Sequence, residues 1–453
     1  MKTIVEADSI LSSIIGEQKI RSSNYRLMKY IIKIEVKDGL LLHNVITGQL
    51  LYLTEAEKSI LYELPLKPEE KIGQLISWYY LVPEDFDEYK FVNGYRKVLQ
   101  QLEKNKEKPI TKFTIFPTTC CNAHCFYCFE SEYKKINMDA VTAGKVVDYI
   151  EQNSRNNKIR ISWFGGEPTV AIPCIDSICN GLETRGIDFV SGMVSNGYLF
   201  TEQIVKKAVN NWKLKKIQIT LDGTEEVYNK TKNYNVAGSA YKRVLNNISL
   251  LLESGIQVSV LLNLDYYNSD DLYKLIDELA KRFRKYDNFR VVSHVLFNDE
   301  GYVKVHHTER EEEELVRRNY DLIDYLEKLG LQGNGIGSAR KRRNLPKLQY
   351  THCMTNDAGA IVIAPNGNLH RCEHIPNKLT SPISIDSGTA NKLEMDEWFL
   401  PAEEAICHDC SLYPSCFVPS KCKDHQRCHY LDRQKRTKMC EELAKELYQE
   451  FCV

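Results

Sequence analysis

Thr118-Thr-Cys-Cys-Asn-Ala-His-Cys-Phe-Tyr-Cys-Phe-Glu130 follows the apolar, strand-like run Phe113 to Pro117. Within it, Cys121, Cys125 and Cys128 form a C-x3-C-x2-C triplet. Three thiolates at this spacing can wrap one corner of an iron-sulfur cubane and leave its fourth iron without a protein ligand. An ordinary ferredoxin site fills all four positions with cysteine, but the next cysteine here is Cys174, far along the chain. The open iron is a place for chemistry. A partial zinc site is the competing reading, and it too lacks a nearby fourth ligand.

Working outward, three further strand-like runs each end in a polar or glycine-rich turn. Arg160 to Phe164 leads into Gly165-Gly-Glu-Pro168, Phe189 to Val194 into Ser195-Asn-Gly197, and Ile217 to Leu221 into Asp222-Gly223. Helical-period segments lie between them at Asp139 to Gln152, Thr201 to Asn210 and Tyr241 to Glu253. Gln257 to Leu264, Asp270 to Arg284 and Phe289 to Phe297 continue the alternation. Cys174 and Cys179 fall on a further helix of the same series, where core packing explains them. Strands alternating with helices predict a parallel sheet wrapped by helices. Six such units make a partial barrel, with its active site expected at the carboxyl ends of the strands, as in complete barrels.

The triplet, the aromatic Tyr127 before its last cysteine, and the three turns in this order resemble the radical S-adenosylmethionine (SAM) enzymes. The resemblance implies a [4Fe-4S] cluster on Cys121, Cys125 and Cys128, whose open iron chelates the amino and carboxylate groups of SAM. It also implies that Gly165, Gly166, Glu167 and Pro168 receive the methionine ammonium, and that Ser195 and Asn196 form a polar turn at the ribose. Tyr127 belongs with these cofactor-binding residues. Thr220 and Asp222 become candidates for contact with SAM or substrate, with Asp222 as the catalytic candidate; a simple cap on the turn after its strand is its other reading. Cys120 has the wrong spacing for the family and reads as a buried small side chain. His124 reads as a spacer.

The C-terminal hundred residues hold nine of the fifteen cysteines. Cys353 is followed by Gly367 and Cys372, then Cys407-x2-Cys410-x5-Cys416-x5-Cys422, Cys428, Cys440 and Cys452. This is similar to the SPASM extension of radical SAM enzymes, which houses two auxiliary iron-sulfur clusters; a zinc ribbon is the alternative. The usual extension has three residues between its fifth and sixth cysteines, where this chain has five. Carried over by position, Cys353, Cys372 and Cys422 hold the first auxiliary cluster, and Cys407, Cys410, Cys416 and Cys440 the second. Some family members supply the first cluster with a cysteine where Gly359 stands here, so either Cys428 is its fourth ligand or an iron stays open. Ala358 to Arg371 reads as a hairpin with Asn366-Gly367 as a two-residue turn, which would bring Cys353 and Cys372 together. Cys452, next to the end, reads as unligated.

Residues 1 to 108 exceed what the barrel needs. Tyr30 to Val36, Leu40 to Asn44 and Gln49 to Leu53 read as strands joined at Asp38-Gly39 and Thr47-Gly48; helical patterns follow at Glu55 to Leu64, Lys71 to Tyr80 and Phe86 to Leu102. Three strands then three helices resembles the winged-helix-like recognition element of ribosomal-peptide maturases. That likeness implies a leader peptide bound as an extra strand on the sheet edge. A structural cap or a DNA-binding winged helix is the alternative. With 60 Lys and Arg against 61 Asp and Glu, the basic bias of a nucleic-acid binder is missing.

The N-terminus carries acids where a signal peptide has its apolar core, and no apolar run approaches membrane-spanning length, so a cytoplasmic protein without a membrane partner is expected. There, fifteen cysteines are metal ligands rather than disulfides. Glu309 to Glu314 reads as a solvated helix face and Arg340 to Arg343 as a solvated loop. The fold expected is α/β: a partial (β/α)6 radical SAM barrel at 109–335, a winged-helix-like α+β domain at 1–108, and a cysteine-rich SPASM domain at 336–453. The resemblance implies a maturase of the sactipeptide or ranthipeptide kind with three [4Fe-4S] clusters, SAM, and an electron donor such as ferredoxin or flavodoxin. A 5'-deoxyadenosyl radical would remove hydrogen from a carbon of a precursor peptide. An open auxiliary iron suits a substrate thiolate, which favours a thioether crosslink. A carbon-carbon crosslink is the runner-up, and a zinc protein binding peptide or nucleic acid the distant one.

Overall fold

A computed structural model describes residues 1–106, 108–155, 158–234, 238–296, 307–331, 344–351, 353–374, 381, 383–387, 396–422, 428 and 430–452. The basic run 340–343 and the expected boundary at 335/336 lie outside them. The chain divides into two compact units. One comprises Met1–Asn105, Ala339–His352 and Asp396–Val453; the other comprises Lys106–Ser338 and Cys353–Met395.

In the first unit, β1 (Lys2–Val5), β3 (Ile31–Val36), β4 (Gly39–Asn44) and β5 (Leu50–Thr54) form an antiparallel sheet in the order β1-β5-β4-β3, while β2 (Tyr25–Leu27) pairs with β6 (Leu81–Pro83). Strands β3, β4 and β5 lie where the turn pairs Asp38-Gly39 and Thr47-Gly48 predicted them. β1 was not legible, because the residues that exclude a signal peptide also supply a short edge strand. Helices Glu70–Ser77 and Glu88–Lys104 pack on this unit's core, and helix Tyr430–Cys452 lies against the sheet through Cys440 and Ala444, which share a core with Ile32, Ile34 and Leu41. The segment expected as one helix from Glu55 breaks after Lys58 into a 3-10 turn, Ser59–Tyr62.

The second unit contains one eight-stranded sheet. β7 (Lys112–Thr118), β8 (Ile159–Gly165), β9 (Phe189–Ser195), β10 (Leu214–Thr220), β11 (Gln257–Leu264) and β12 (Phe289–Val295) lie side by side in chain order, each parallel to the next. Helices lie between them in sequence, several capped by side chains that the sequence supplies: Asp139 accepts from Thr142 N, Thr201 from Ile204 N and Ser239 from Lys242 N. Alternate strand residues such as Phe113, Ile161, Trp163, Ile217 and Val260 are buried in one core with Cys174 and Cys179. This is the six-unit arrangement read from the alternation.

The sheet continues past β7. β13 (Ala360–Ile363) pairs parallel to β7, and β14 (Leu369–His370) returns antiparallel to β13. The expected hairpin is present, but its turn is longer than the two residues predicted. Ala364 N donates to Asn368 O and Gly367 N to Ala364 O, both at 2.9 Å, which encloses Pro365, Asn366 and Gly367. Gly367 takes φ +80°, the left-handed position that closes a three-residue hairpin loop.

Candidate active site

The cysteine loop leaves the carboxyl end of β7 and is fixed at its stem by hydroxyls. Cys120 N donates to Thr118 Oγ1 at 2.8 Å and Ile136 N to Thr119 Oγ1 at 2.9 Å. Cys121, Cys125 and Cys128 are all half-buried, and a turn closes between the last two, Cys128 N to Cys125 O at 3.2 Å. Burial pushes the Cys121 thiol up to about 11 and Cys128 to about 12. Cys125 is raised for the same reason, opposed by the positive charge of Lys232. These thiols keep their protons at neutral pH without a metal; metal ligation deprotonates a thiol outright and releases protons as the site assembles.

Gly165 and Gly166 make close approach possible, and what approaches is the loop's own backbone. A Cβ on Gly165, at φ +111°, would meet Thr118 O at 2.3 Å, and one on Gly166 would meet Cys120 O at 2.2 Å. Into this space Gly166 N donates to Thr118 O at 3.2 Å and Glu167 N to Cys120 O at 2.8 Å. Glu167 is fully buried, and its carboxylate is saturated by protein donors. Oε1 accepts from Thr169 N at 3.0 Å, from Thr169 Oγ1 and from Ser195 Oγ at 2.9 Å, and Oε2 accepts from Asn196 N at 2.7 Å. The carboxylate therefore ties the end of β8 to the end of β9. Pro168 opens the short 3-10 helix Pro168–Ala171, where its lack of an N–H is harmless. Asn196 reaches back to the cysteine loop, Nδ2 to Asn122 Oδ1 at 2.7 Å.

Thr220, half-buried, is the last residue of β10. Asp222 follows, fully buried, with its carbonyl held by Asn268 Nδ2 at 2.8 Å. Its Oδ2 accepts from Tyr127 Oη at 2.7 Å and pairs with Lys232 Nζ at 3.0 Å, while Lys232 Nζ also donates to Tyr127 Oη at 2.8 Å. Tyr127, Asp222 and Lys232 are thus one buried triad. Sequence reasoning reached the first two and missed Lys232, whose signal was weak: one lysine among several at the end of a polar helix, Glu225–Lys232. Two buried polar atoms in this region have no hydrogen-bond partner among the described residues, the donor Asn122 Nδ2 and the acceptor Asp222 Oδ1. A zwitterionic, hydroxylated ligand offers partners to both kinds of atom, so the side chains present fit SAM beside a cluster on the three thiolates.

The C-terminal cysteines divide between the units. Cys353 and Cys372 belong to the second, and Cys407, Cys410, Cys416, Cys422, Cys428 and Cys440 to the first. Gly359, where some SPASM proteins have a cysteine, is built into the start of the β7–β13 pairing: its carbonyl accepts from Thr111 N at 2.9 Å and Lys112 N at 3.0 Å. Successive tight turns carry the chain from Cys407 to Cys416, with Cys410 N on Cys407 O, Tyr413 N on Cys410 O and Cys416 N on Tyr413 O, at 3.0 to 3.3 Å. Glu404 joins Cys428 to this group. Its N–H donates to Cys407 Sγ at 3.4 Å, and its carboxylate accepts from Cys428 N at 3.1 Å.

Cys440, expected as the fourth member, packs in one apolar cluster with Leu412, against which Cys410 also lies. It is buried against the β3–β4 sheet with Sγ 3.2 Å from His43 Nδ1. His43 Nε2 lies 2.9 Å from the carbonyl of Pro346, which can only accept. Nε2 therefore carries the ring proton, and the Cys440 thiol donates to Nδ1. Burial enforces neutrality on both, moving His43 down to about 4 and Cys440 up to about 12.

Residues 115–279 match the family model of the Radical SAM superfamily, so this segment of the chain is a radical SAM domain. Among curated proteins, the chain is 27% identical over 178 residues to a cysteine-type anaerobic sulfatase-maturating enzyme of Clostridium novyi, covering 37% of this chain and 46% of that protein. It is also 30% identical over 111 residues to an uncharacterized protein of Methanocaldococcus jannaschii, covering 24% and 37%. The chain thus spans less than half the length of either relative. Among solved structures, native anSMEcpe with bound AdoMet and Cp18Cys peptide matches with a TM-score of 0.60 at 15% identity, over 75% of this chain and 100% of that one. Streptococcus suis SuiB bound to precursor peptide SuiA matches with a TM-score of 0.51 at 16% identity, over 87% and 94%. These likenesses establish a shared fold. No helix among the described residues is long and apolar enough to cross a membrane.

Proposed function

We propose that the chain is a radical SAM enzyme that modifies a ribosomally made precursor peptide and joins a cysteine sulfur of that peptide to a carbon of another residue. The observation that carries this reading is the position of Cys121, Cys125 and Cys128. They lie on one loop at the carboxyl end of β7, inside the radical SAM domain, next to two buried polar atoms without partners. When bound, a [4Fe-4S] cluster with SAM on its open iron supplies one-electron cleavage of SAM and the 5'-deoxyadenosyl radical that takes hydrogen from a peptide carbon. The chain's own residues bind and orient. Glu167 holds the ends of β8 and β9 in register, Asn196 braces the cysteine loop, and Asp222 Oδ1 and Asn122 Nδ2 are free to take hydrogen bonds from and to SAM. Thr220 and Ser195 line the same carboxyl-terminal edge.

Peptide substrates are supported by the likeness to SuiB, a protein bound to a precursor peptide, and by the first unit. There β3 pairs regularly over Ile31–Val36 with β4 and has no other strand partner among the described residues. β1, the opposite edge, is shorter and irregular in register, the kind of edge that resists further pairing. In this reading residues 1–108 recognise a leader segment, which adds to β3. Residues 109–335 carry out the radical step, and residues 336–453 bind two auxiliary clusters. An electron donor of the ferredoxin or flavodoxin kind completes the system.

The test is to co-express the chain with a cysteine-containing precursor peptide and measure peptide mass and free thiols. Loss of two hydrogens per crosslink, with the cysteines no longer alkylated by iodoacetamide, is expected. The same mass loss with every cysteine still alkylated would replace the thioether by a carbon-carbon crosslink. An unchanged peptide would refute the substrate class.

A further inference from the structure

A buried cation at the cysteine loop comes from a residue outside every motif that led to it. Lys232 ends the helix Glu225–Lys232 and is 3% exposed. It grips the loop at two points on either side of Cys125. Its carbonyl accepts from His124 N at 2.8 Å, and its Nζ donates to Tyr127 Oη at 2.8 Å. The ammonium lies 5.4 Å from the centre of the Tyr127 ring and is anchored from behind by Asp222 Oδ2 at 3.0 Å. The groups acting most strongly on it are Asp222, Cys125, Tyr127 and Tyr228, with Tyr234, Tyr267 and Cys121 also within reach of its charge. A lysine is rarely buried this deeply unless paired, and here one carboxylate answers it.

From this geometry we propose that Lys232 is a positioning residue for the cluster of the three-cysteine loop, fixing the Cys125 turn and placing a buried cation beside it that makes the cluster easier to reduce. The inference rests on the radical SAM reading of that loop. Reduction adds a negative charge to the cluster, and cluster potentials follow net charge, hydrogen bonding and burial. A cation fixed in a low-dielectric surrounding stabilises the reduced form more than water does. Asp222 acts with the opposite sign, so the two side chains together set the local field, and removing either moves the potential in a known direction.

The experiment uses the full chain, reconstituted without oxygen, as wild type, Lys232→Met, Lys232→Arg and Asp222→Asn. Iron and sulfide per chain are measured, with redox titrations followed by electron paramagnetic resonance. The signal that changes on adding SAM identifies the three-cysteine cluster. Lys232→Met is expected to keep its iron and lose about tenfold in the ratio of reduced to oxidised cluster at a fixed solution potential, a shift of roughly 59 mV to the negative. Lys232→Arg should restore most of it, and Asp222→Asn should move the midpoint the other way. Unchanged midpoints in Lys232→Met and Asp222→Asn would overturn the proposal, as would weakened SAM binding in Lys232→Met without a shift, since that makes Lys232 a SAM ligand only. If Lys232→Met fails to fold, the sign of the Asp222→Asn shift decides. A wild-type chain whose spectrum does not respond to SAM would instead refute the functional reading beneath it.

Discussion

Replacing Glu167 by Gln removes one charge and changes one acceptor oxygen into a donor, in a position with no room for adjustment. The side chain is fully buried and takes four hydrogen bonds, three on Oε1 and one on Oε2. With the amide oxygen kept at the Oε1 position, the new NH2 group faces the N–H of Asn196, donor against donor. A hydrogen bond to a charged group contributes about 1.5–3 kcal/mol and a buried unsatisfied donor costs about 1–3 kcal/mol, so the loss should come to roughly 3–5 kcal/mol. Flipping the amide moves the donor clash to Thr169 N, because the Thr169 and Ser195 hydroxyls can turn to accept from the NH2. At about 2–4 °C per kcal/mol for a domain of this size, the melting temperature should fall on the order of 10 °C. Because Asn196 also braces Asn122 in the cysteine loop, SAM binding should weaken even below the melting point. Calorimetry and equilibrium SAM binding on the reconstituted protein measure both. Unchanged melting and SAM affinity in Glu167→Gln would show that the four bonds do not hold the strand ends together, and the argument would fail.

Two other outcomes are expected. Cys428→Ser should lose the iron of one cluster, about four per chain, whereas Cys440→Ser should keep its full iron content, because Cys428 joins the Cys407–Cys416 turns through Glu404 while Cys440 donates to His43; iron and sulfide analysis of the two variants decides, and iron loss in Cys440→Ser alone would reverse the assignment. The His43 imidazole is held down to about 4 by burial, against an ordinary value of 6.5, so the unfolded chain binds a proton that the folded chain refuses. The stability this withholds is intact above about pH 6.5 and declines as the pH falls toward 4, by up to roughly 3 kcal/mol; urea midpoints at pH 7.5 and 5 should differ, and His43→Gln should flatten the difference.

The parallel sheet was legible because its strands are short apolar runs separated by helical periods. The catalytic edge was legible because chemistry-bearing turns follow strands at fixed places. The roles inside those turns were less so. Glycine pairs signal close approach without saying what approaches, and here the carbonyls of Thr118 and Cys120 lie close against them. A carboxylate in a glycine turn looks available to an ammonium, and the sequence did not show that Glu167 also accepts from Thr169, Ser195 and Asn196, two of them on another strand's turn. Cysteine spacing assigned Cys440 by position and gave no sign of its hydrogen-bond partner, His43, nearly four hundred residues away in the chain. Lys232 and Asn122 stood out little in the sequence because their setting comes from burial and from partners distant in the chain.

The central claim is that the three-cysteine loop performs reductive SAM cleavage. Its most direct test is to incubate the anaerobically reconstituted chain with SAM and dithionite and to quantify 5'-deoxyadenosine, for wild type and for a variant with Cys121, Cys125 and Cys128 all changed to Ala. The account predicts 5'-deoxyadenosine from the wild type and none from the variant, even though the variant retains the iron of its C-terminal cysteines. Intact SAM in both samples, or equal cleavage by the two, would contradict it.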